Sequence, residues 1–235
     1  MCHEYESGLL HQYHERVKAM FLKALTAHWV SLPESVTSRL TLEGVDGQLG
    51  GGTIVGNMSA LHSAGPLPVV PDTAIHYRCG DNTVGHYGFL PFRAFKNLIP
   101  KDSKFIYIMS ESSRRKARPD QRARCDIILK QLYLYVSAEF QNAHVLLMRG
   151  QDMFVDMYRL TFANVTICSV STFCFWLALS SNGSAVHFPV SRLIAKATQP
   201  KYGANFHWIT TPQIVSGVRS LSMSTEHLIK ILKSK

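Results

Sequence analysis

Acidic residues are scarce in this sequence. Its 16 aspartates and glutamates are outnumbered by 25 lysines and arginines, which gives a formal net charge of +9. Charged residues make up only 17% of the chain and hydrophobic residues 46%, so a sizeable core is expected and disorder is not. A basic surface favours anionic partners such as phosphorylated ligands, anionic membranes or nucleic acid, and a soluble protein with a basic surface is an equal alternative.

Long apolar runs and metal-binding motifs are also missing. No apolar run reaches the ~20 residues that span a bilayer, and the first residues lack the pattern of a signal peptide. The five cysteines form no Cys-x-x-Cys pair, which disfavours a zinc site but leaves one or two disulfides open. There is no Asp-x-Asp, no P-loop ending and no Gly-x-Gly-x-x-Gly. We therefore expect no transmembrane segment and no metal site.

The densest basic stretch runs from Arg114 to Arg124 and contains no aromatic residue. Proteins that bind single-stranded nucleic acid combine basic grooves with aromatic side chains on which the bases stack. The composition of this stretch therefore disfavours nucleic acid as a partner, and it favours a solvated loop followed by the start of a helix.

The chain has two differently patterned parts. Helical spacing of apolar residues predicts a helix over residues 8–30, and the glycine-rich stretch from Gly44 to Gly56 predicts a flexible loop. Prolines and glycines between Gly65 and Pro71 then interrupt regular structure, so we place a domain boundary near residue 70. The 235-residue length suits one large domain, or one complete domain with part of a second.

From residue 71 onward, short apolar strands alternate with amphipathic helices. Strands are predicted at 73–77, 104–109, 144–148, 165–169 and 185–188, and helices at 89–98, 122–140, 152–162 and 172–179. This alternation predicts βαβ units and a parallel sheet. The strands are apolar throughout, as expected when helices cover both faces. The fold class is therefore α/β, with a Rossmann-like parallel sheet between two helical layers.

Ligands of such sheets bind at the carboxyl ends of the strands, and two segments there carry suitable chemistry. In the first, a buried strand runs directly into Arg78, Gly80 and Asp81. An arginine fork suits a diphosphate, although a structural Arg–Asp pair explains the residues equally well. In the second, a strand passes through Ser171 and Thr172 into a helix, where their hydroxyls either cap the helix or donate to a phosphate.

Together, these two segments resemble the donor domain of the α1,2-, α1,6- and protein O-fucosyltransferase superfamily. Residues His76 to Asp81 read His-Tyr-Arg-Cys-Gly-Asp, similar to the superfamily's His-x-Arg-Arg-x-Asp. Residues Ser171 to Trp176 read Ser-Thr-Phe-Cys-Phe-Trp, similar to its Ser-Ser-Phe-Ser-Trp-Trp turn. The resemblance covers residues 72 to 190 and implies the C-terminal donor half of a GT-B glycosyltransferase over residues 71–235.

The resemblance also implies an activity, which is inverting, metal-independent transfer of fucose from GDP-fucose to a glycan or protein hydroxyl. Arg78 matches the arginine that grips the β-phosphate, and His76 matches the histidine on the guanine side. Asp156 matches an aspartate that reads guanine N–H groups, with a solvated helix residue as the alternative. Ser171 and Thr172 would hold the diphosphate. The expected partners are a nucleotide-sugar donor, GDP-fucose or another, and a glycan or glycoprotein acceptor, with no further cofactor.

The sequence departs from the superfamily pattern in two respects. Cys79 stands where many relatives have a second arginine, so another cation such as Arg149 would have to compensate, or the protein is a catalytically inactive nucleotide-sugar or glycan-binding module. Residues 1–70 are too few for a second Rossmann-like half, so we expect them to be the remnant of an acceptor-side domain, in a truncated product or a compact variant. Asp81 is a candidate general base, and anchoring of its own loop is an equal alternative. Relatives act in the Golgi and secretory pathway, but the sequence itself shows no signal or anchor.

Overall fold

A computed structural model describes residues 16, 18–20, 22–24, 53–55, 70–79, 88–111, 119–151, 153–190, 202–209, 215–216, 220 and 222–234. The strands are β1 (Thr53–Val55), β2 (Thr73–His76), β3 (Gly88–Phe89), β4 (Phe105–Ser110), β5 (His144–Arg149), β6 (Val165–Cys168), β7 (Ala185–Pro189), β8 (Phe206–Ile209) and β9 (Val215–Ser216). The helices are α1 (Phe92–Leu98), α2 (Pro119–Glu139), α3 (Met153–Phe162), α4 (Thr172–Leu179) and α5 (Thr225–Ser234). The described residues between 16 and 24 are also helical.

Seven strands form the main sheet in the order β1-β5-β4-β2-β6-β7-β8. The six from β5 to β8 are all parallel, and β1 runs antiparallel to β5 at one edge. Numbered by their sequence, the parallel strands follow the order 3-2-1-4-5-6 of a doubly wound Rossmann sheet. The predicted α/β class is therefore confirmed, and a GT-B arrangement stays a prediction.

Helices cover both faces of this sheet, as the apolar strands predicted. Ile75 of β2 packs in one cluster with buried residues of α1, α2 and α5, a layer that we call the first face. Its neighbour Ala74 packs in a second cluster with residues of α3 and α4, which we call the second face. Successive residues of a strand point to opposite faces, so the alternation along β2 assigns each side chain to one layer.

Helix α2 shows how the sequence produces this packing. Its buried residues Cys125, Ile128, Leu132 and Val136 recur at intervals of three and four, which places them on one side of a helix. That side contacts β5 and the other first-face helices, and the charged residues of α2 are at least partly exposed. None of the helices within the described part of the chain is long and apolar enough to cross a bilayer.

The structure adds elements that the sequence did not predict. The short strand β1 lies within the glycine-rich stretch predicted as a loop, where Thr53, Ile54 and Val55 are three consecutive β-branched residues that suit extended pairing. It pairs with β5 although it precedes the predicted domain boundary. The predicted helix at 89–98 begins only at Phe92, because the preceding Pro91 is extended and the strand β3 occupies Gly88–Phe89.

Candidate functional site

The strand order places a crevice between β2 and β6. From β2 the chain crosses to β4 on one side, and from β6 it crosses to β7 on the other. The two connections diverge above the carboxyl ends of these adjacent strands, and in doubly wound sheets such a divergence forms the ligand-binding crevice. This switch point is where doubly wound sheets bind their ligands, and both of the segments singled out in the sequence end there.

The backbone that follows β2 is fixed by three different neighbours. Tyr77 donates its N–H to Met109 O of β4 at 2.9 Å, and Ser110 Oγ donates to Tyr77 O at 2.8 Å. Arg78 donates its N–H to Ser169 Oγ, just beyond β6, at 2.7 Å. Arg78 is partly exposed and therefore leaves the sheet at the mouth of the crevice between β2 and β6.

Helix α4 begins on the opposite side of the same crevice. Ser171 is fully buried and extended, and its Oγ accepts the N–H of Cys174 at 3.5 Å. This hydroxyl therefore caps the helix, and its contact with a phosphate stays a prediction. Thr172, the first helical residue, is partly exposed. The first amides of a helix have no partner within it and carry a partial positive charge, so this end suits an anion.

His76 links the two sides of the crevice. It is the last residue of β2 and lies 8% exposed, with its ring centroid 5.4 Å from that of Phe173 in the first turn of α4. Burial, and secondarily the positive charge of Arg78, lowers the pKa of His76 to about 3. Its buried Nδ1 has no hydrogen-bond partner among the described residues. A buried ring nitrogen without a partner is rare in native folds, which marks His76 as a residue to test.

Asp156 lies in the first turn of α3 on the second face, and the helix packs against β2 and α4. The residue is partly exposed but its Oδ1 is buried, and the carboxylate interacts electrostatically with Arg159, one turn further along. The structure therefore brings the start of α3 to the same side of the sheet as His76. The contact of Asp156 with a guanine base stays a prediction.

Arg159 is a buried arginine that the sequence reasoning missed. It is 2% exposed, its Nη1 donates to Met148 Sδ at 3.2 Å, and its guanidinium lies 5.6 Å from the ring centroid of Tyr107. Burial lowers the pKa of Arg159, and the charge of Asp156 opposes that shift. A signal was present, because Arg159 lies four residues after the apolar Val155 and thus on the buried side of an amphipathic helix.

One other predicted residue lies away from the site, and a second falls outside the described residues. Arg149, proposed as a substitute cation, is at the end of β5 and forms an ion pair with Asp126 of α2. This contact holds its guanidinium on the first face, two strands away from β2. Asp81, the candidate general base, lies outside the described residues, so its role stays a prediction.

Four of the five cysteines are paired. Cys79 bonds to Cys125 with Cα atoms 5.5 Å apart, and Cys168 bonds to Cys174 with Cα atoms 5.7 Å apart. The first bond joins residues separated by 46 positions, so in the chain-entropy model it stabilises the fold by about 4 kcal/mol. Both bonds lie beside the crevice, one after Arg78 and one across the turn into α4.

These pairings predict a specific alkylation pattern. In denaturant without reductant, a thiol-specific reagent should modify one cysteine per chain, because the other four form two disulfides. After reduction it should modify all five. Intact mass spectrometry measures both numbers, and peptide mapping identifies the partners. A crossed pairing, such as Cys79 with Cys174, would contradict the arrangement of the two segments around the crevice.

Burial of His76 predicts a loss of stability in acid. The pKa of His76 is 6.5 in the unfolded chain and about 3 in the fold, so the unfolded state binds the proton more readily. The contribution of neutral His76 to the free energy of unfolding is complete above pH 6.5. It falls by up to about 1.4 kcal/mol per pH unit as the pH drops towards 3. Urea unfolding between about pH 7 and pH 5 should therefore show a shallower decline in the His76→Gln variant.

The comparison with this variant is needed because a second histidine acts in the same direction. Burial, together with the neighbouring His207, lowers the pKa of His187 to about 4. The wild-type curve contains both contributions, and only the difference between the two proteins belongs to His76. Parallel curves would show that His76 titrates normally in the fold.

The structure thus brings Arg78, His76 and the start of α4 together around one crevice, with Asp156 on the helix beside it. Comparison with known proteins adds no relative to this description, because no family model, no curated protein and no solved structure matches the chain.

Proposed function

We propose that this protein is a glycosyltransferase that binds a nucleotide sugar in the crevice between β2 and β6. The resemblance of its two motifs to the fucosyltransferase superfamily specifies GDP-fucose as the donor and a glycan or protein hydroxyl as the acceptor. The observation that carries the proposal is that Arg78, His76 and the start of α4 lie together at the switch point of a doubly wound sheet.

Each of these groups has a role that its chemistry suits. The guanidinium of Arg78 donates two parallel hydrogen bonds to the β-phosphate, and the amides at the start of α4 bind the diphosphate from the other side. His76, which is neutral at physiological pH, forms a hydrogen bond on the nucleoside side without adding charge. Asp156 accepts hydrogen bonds from the guanine N–H groups, as the resemblance implies.

Transfer then proceeds by direct displacement with inversion. The oxygen of the acceptor hydroxyl forms a bond to the anomeric carbon of fucose while the bond from that carbon to the diphosphate oxygen breaks. The hydroxyl proton passes to a general base, for which Asp81 is the candidate, and the bonding electrons leave with GDP. Arg78 and the start of α4 stabilise the charge that develops on the departing diphosphate, which lowers the barrier.

A second candidate is a binding module without turnover. This candidate is supported by the disulfide between Cys79 and Cys125. Cys79 stands where the fucosyltransferase pattern has a second arginine, and a disulfide-bonded cysteine contributes no positive charge. Loss of one preorganised donor costs about 3–4 kcal/mol of transition-state stabilisation in other enzymes. Such a protein would retain the diphosphate site while its turnover is lost.

Two measurements separate these candidates. Calorimetric titration with GDP should give binding at one site per chain, and release of free fucose or GDP from GDP-fucose should then report turnover. Binding with turnover supports the transferase, and binding without it supports the module. If the protein does not bind GDP but binds RNA with a steep salt dependence, both candidate functions are rejected and a nucleic-acid partner is favoured.

A further inference from the structure

Three consecutive residues near the start of α2 each connect this helix to a different neighbouring segment. Arg124 Nη2 donates to Ser220 O, before α5, at 2.7 Å. Cys125 is bonded to Cys79, which directly follows the site residue Arg78. Asp126 forms an ion pair with Arg149 at the end of β5. The first turns of α2 therefore serve as a fixed support beneath the segment that carries Arg78.

The disulfide is the covalent part of this support. Cys79 is 6% exposed and Cys125 is 2% exposed, so the bond lies within the first-face core rather than at the surface. On the other side of Arg78, the crevice-facing backbone is held by the hydrogen bond from its N–H to Ser169 Oγ at 2.7 Å. The backbone of Arg78 is thus fixed from two directions, by the end of β6 on one side and by α2 on the other.

We propose that Cys125 is a positioning residue that, through its bond to Cys79, fixes the backbone from which the Arg78 guanidinium reaches the β-phosphate. The proposal rests on the function proposed above. Cys79, which forms the disulfide, stands where the fucosyltransferase pattern has a second arginine. In this chain the second positive charge is therefore absent, and the disulfide instead fixes the position of Arg78. A group fixed in its binding geometry loses less conformational freedom on binding, and the affinity increases accordingly.

The effect should depend on the β-phosphate. Without the disulfide, the residues after β2 gain freedom that binding must remove again, and ordering one flexible side chain costs up to roughly a tenfold loss of affinity. GMP carries the same base, ribose and first phosphate as GDP but lacks the β-phosphate. A misplaced Arg78 therefore weakens GDP binding and leaves GMP binding unchanged, whereas general damage to the crevice weakens both.

The test compares three proteins by calorimetry with GDP and with GMP. The Cys79→Ser/Cys125→Ser variant removes the disulfide, and Lys130→Ala is the control because it changes an exposed side chain of the same helix and keeps the disulfide. We expect the cysteine variant to bind GDP roughly tenfold more weakly with GMP affinity unchanged, and the control to match the wild type for both ligands.

Two results would overturn the proposal. One is equal GDP affinity in the wild type and the cysteine variant, and the other is a parallel loss of GDP and GMP binding. If the serine variant does not fold, the apolar pair Cys79→Ala/Cys125→Val fills the buried site, and the same comparison of GDP with GMP applies to it. A wild type that does not bind GDP would instead reject the function proposed above, so the two failures are distinguishable.

Discussion

Replacing Arg78 with alanine should weaken GDP binding by about 2–5 kcal/mol, which is roughly 30-fold to several thousand-fold. The reason is that the diphosphate would lie in a crevice where Arg78 is the charged side chain at the end of β2, and its loss leaves buried phosphate oxygens without their donors. Calorimetry with GDP and GMP measures the change. GMP binding should fall less, because it has no β-phosphate for Arg78 to bind.

Two further variants test whether this effect belongs to the site. Arg78→Lys keeps the charge but loses the planar fork, so its GDP affinity should lie between those of the wild type and the alanine variant. Lys130→Ala removes the same charge from an exposed position on α2 and should leave the affinity unchanged. An Arg78→Ala protein that binds GDP like the wild type would reject the crevice as the diphosphate site.

Replacing Gly183 with alanine should destabilise the protein by about 3 kcal/mol or more. Gly183 lies in the turn between α4 and β7, against the turn between α3 and β6, and a Cβ added there would overlap Ala163 O and lie 2.5 Å from Asn164 O. Both obstacles are backbone atoms, which cannot rotate away as a side chain does. Glycine is therefore required by close approach of two chain segments.

Thermal or urea unfolding measures this loss, which corresponds to a fall of about 6–12 °C in the melting temperature for a chain of this size. Asn182→Ala is the matched control, since its side chain is exposed in the same turn and its substitution should change stability by no more than about 0.5 kcal/mol. A Gly183→Ala variant as stable as that control would show that the two turns do not approach each other this closely.

Most of the regular structure could be predicted from local pattern. The predicted strand at 104–109 is β4 at Phe105–Ser110, and the predicted helix at 122–140 is α2 at Pro119–Glu139. Both succeed because the residues that decide a strand or a helix lie within a few positions of each other. The strand β8 was not predicted. It pairs in parallel with β7 across the segment between them, and the local pattern contains no information about that partner.

The candidate site shows the same division. The two motifs indicated Arg78 and the start of α4, and the rule for parallel sheets placed both at the carboxyl edge. The sequence predicts that Ser171 can cap the helix without excluding a contact with a phosphate; the structure shows the cap, and the phosphate contact stays a prediction. Arg149, proposed as the substitute cation, lies at the end of β5, two strands from β2, and pairs with Asp126. The local sequence pattern contains neither the strand order nor this ion pair.

By itself, the sequence determined the α/β class, the positions of the central strands and helices, and the two segments that carry chemistry, because apolar periodicity and turn residues act over short stretches of chain. Only the tertiary structure decided that Cys79 bonds to Cys125, that the ring of His76 lies beside Phe173 with an Nδ1 that no described residue contacts by a hydrogen bond, and that Arg159 is buried against the ring of Tyr107. Each of these depends on groups distant in the sequence, which become neighbours only when the strands assemble in their 3-2-1-4-5-6 order.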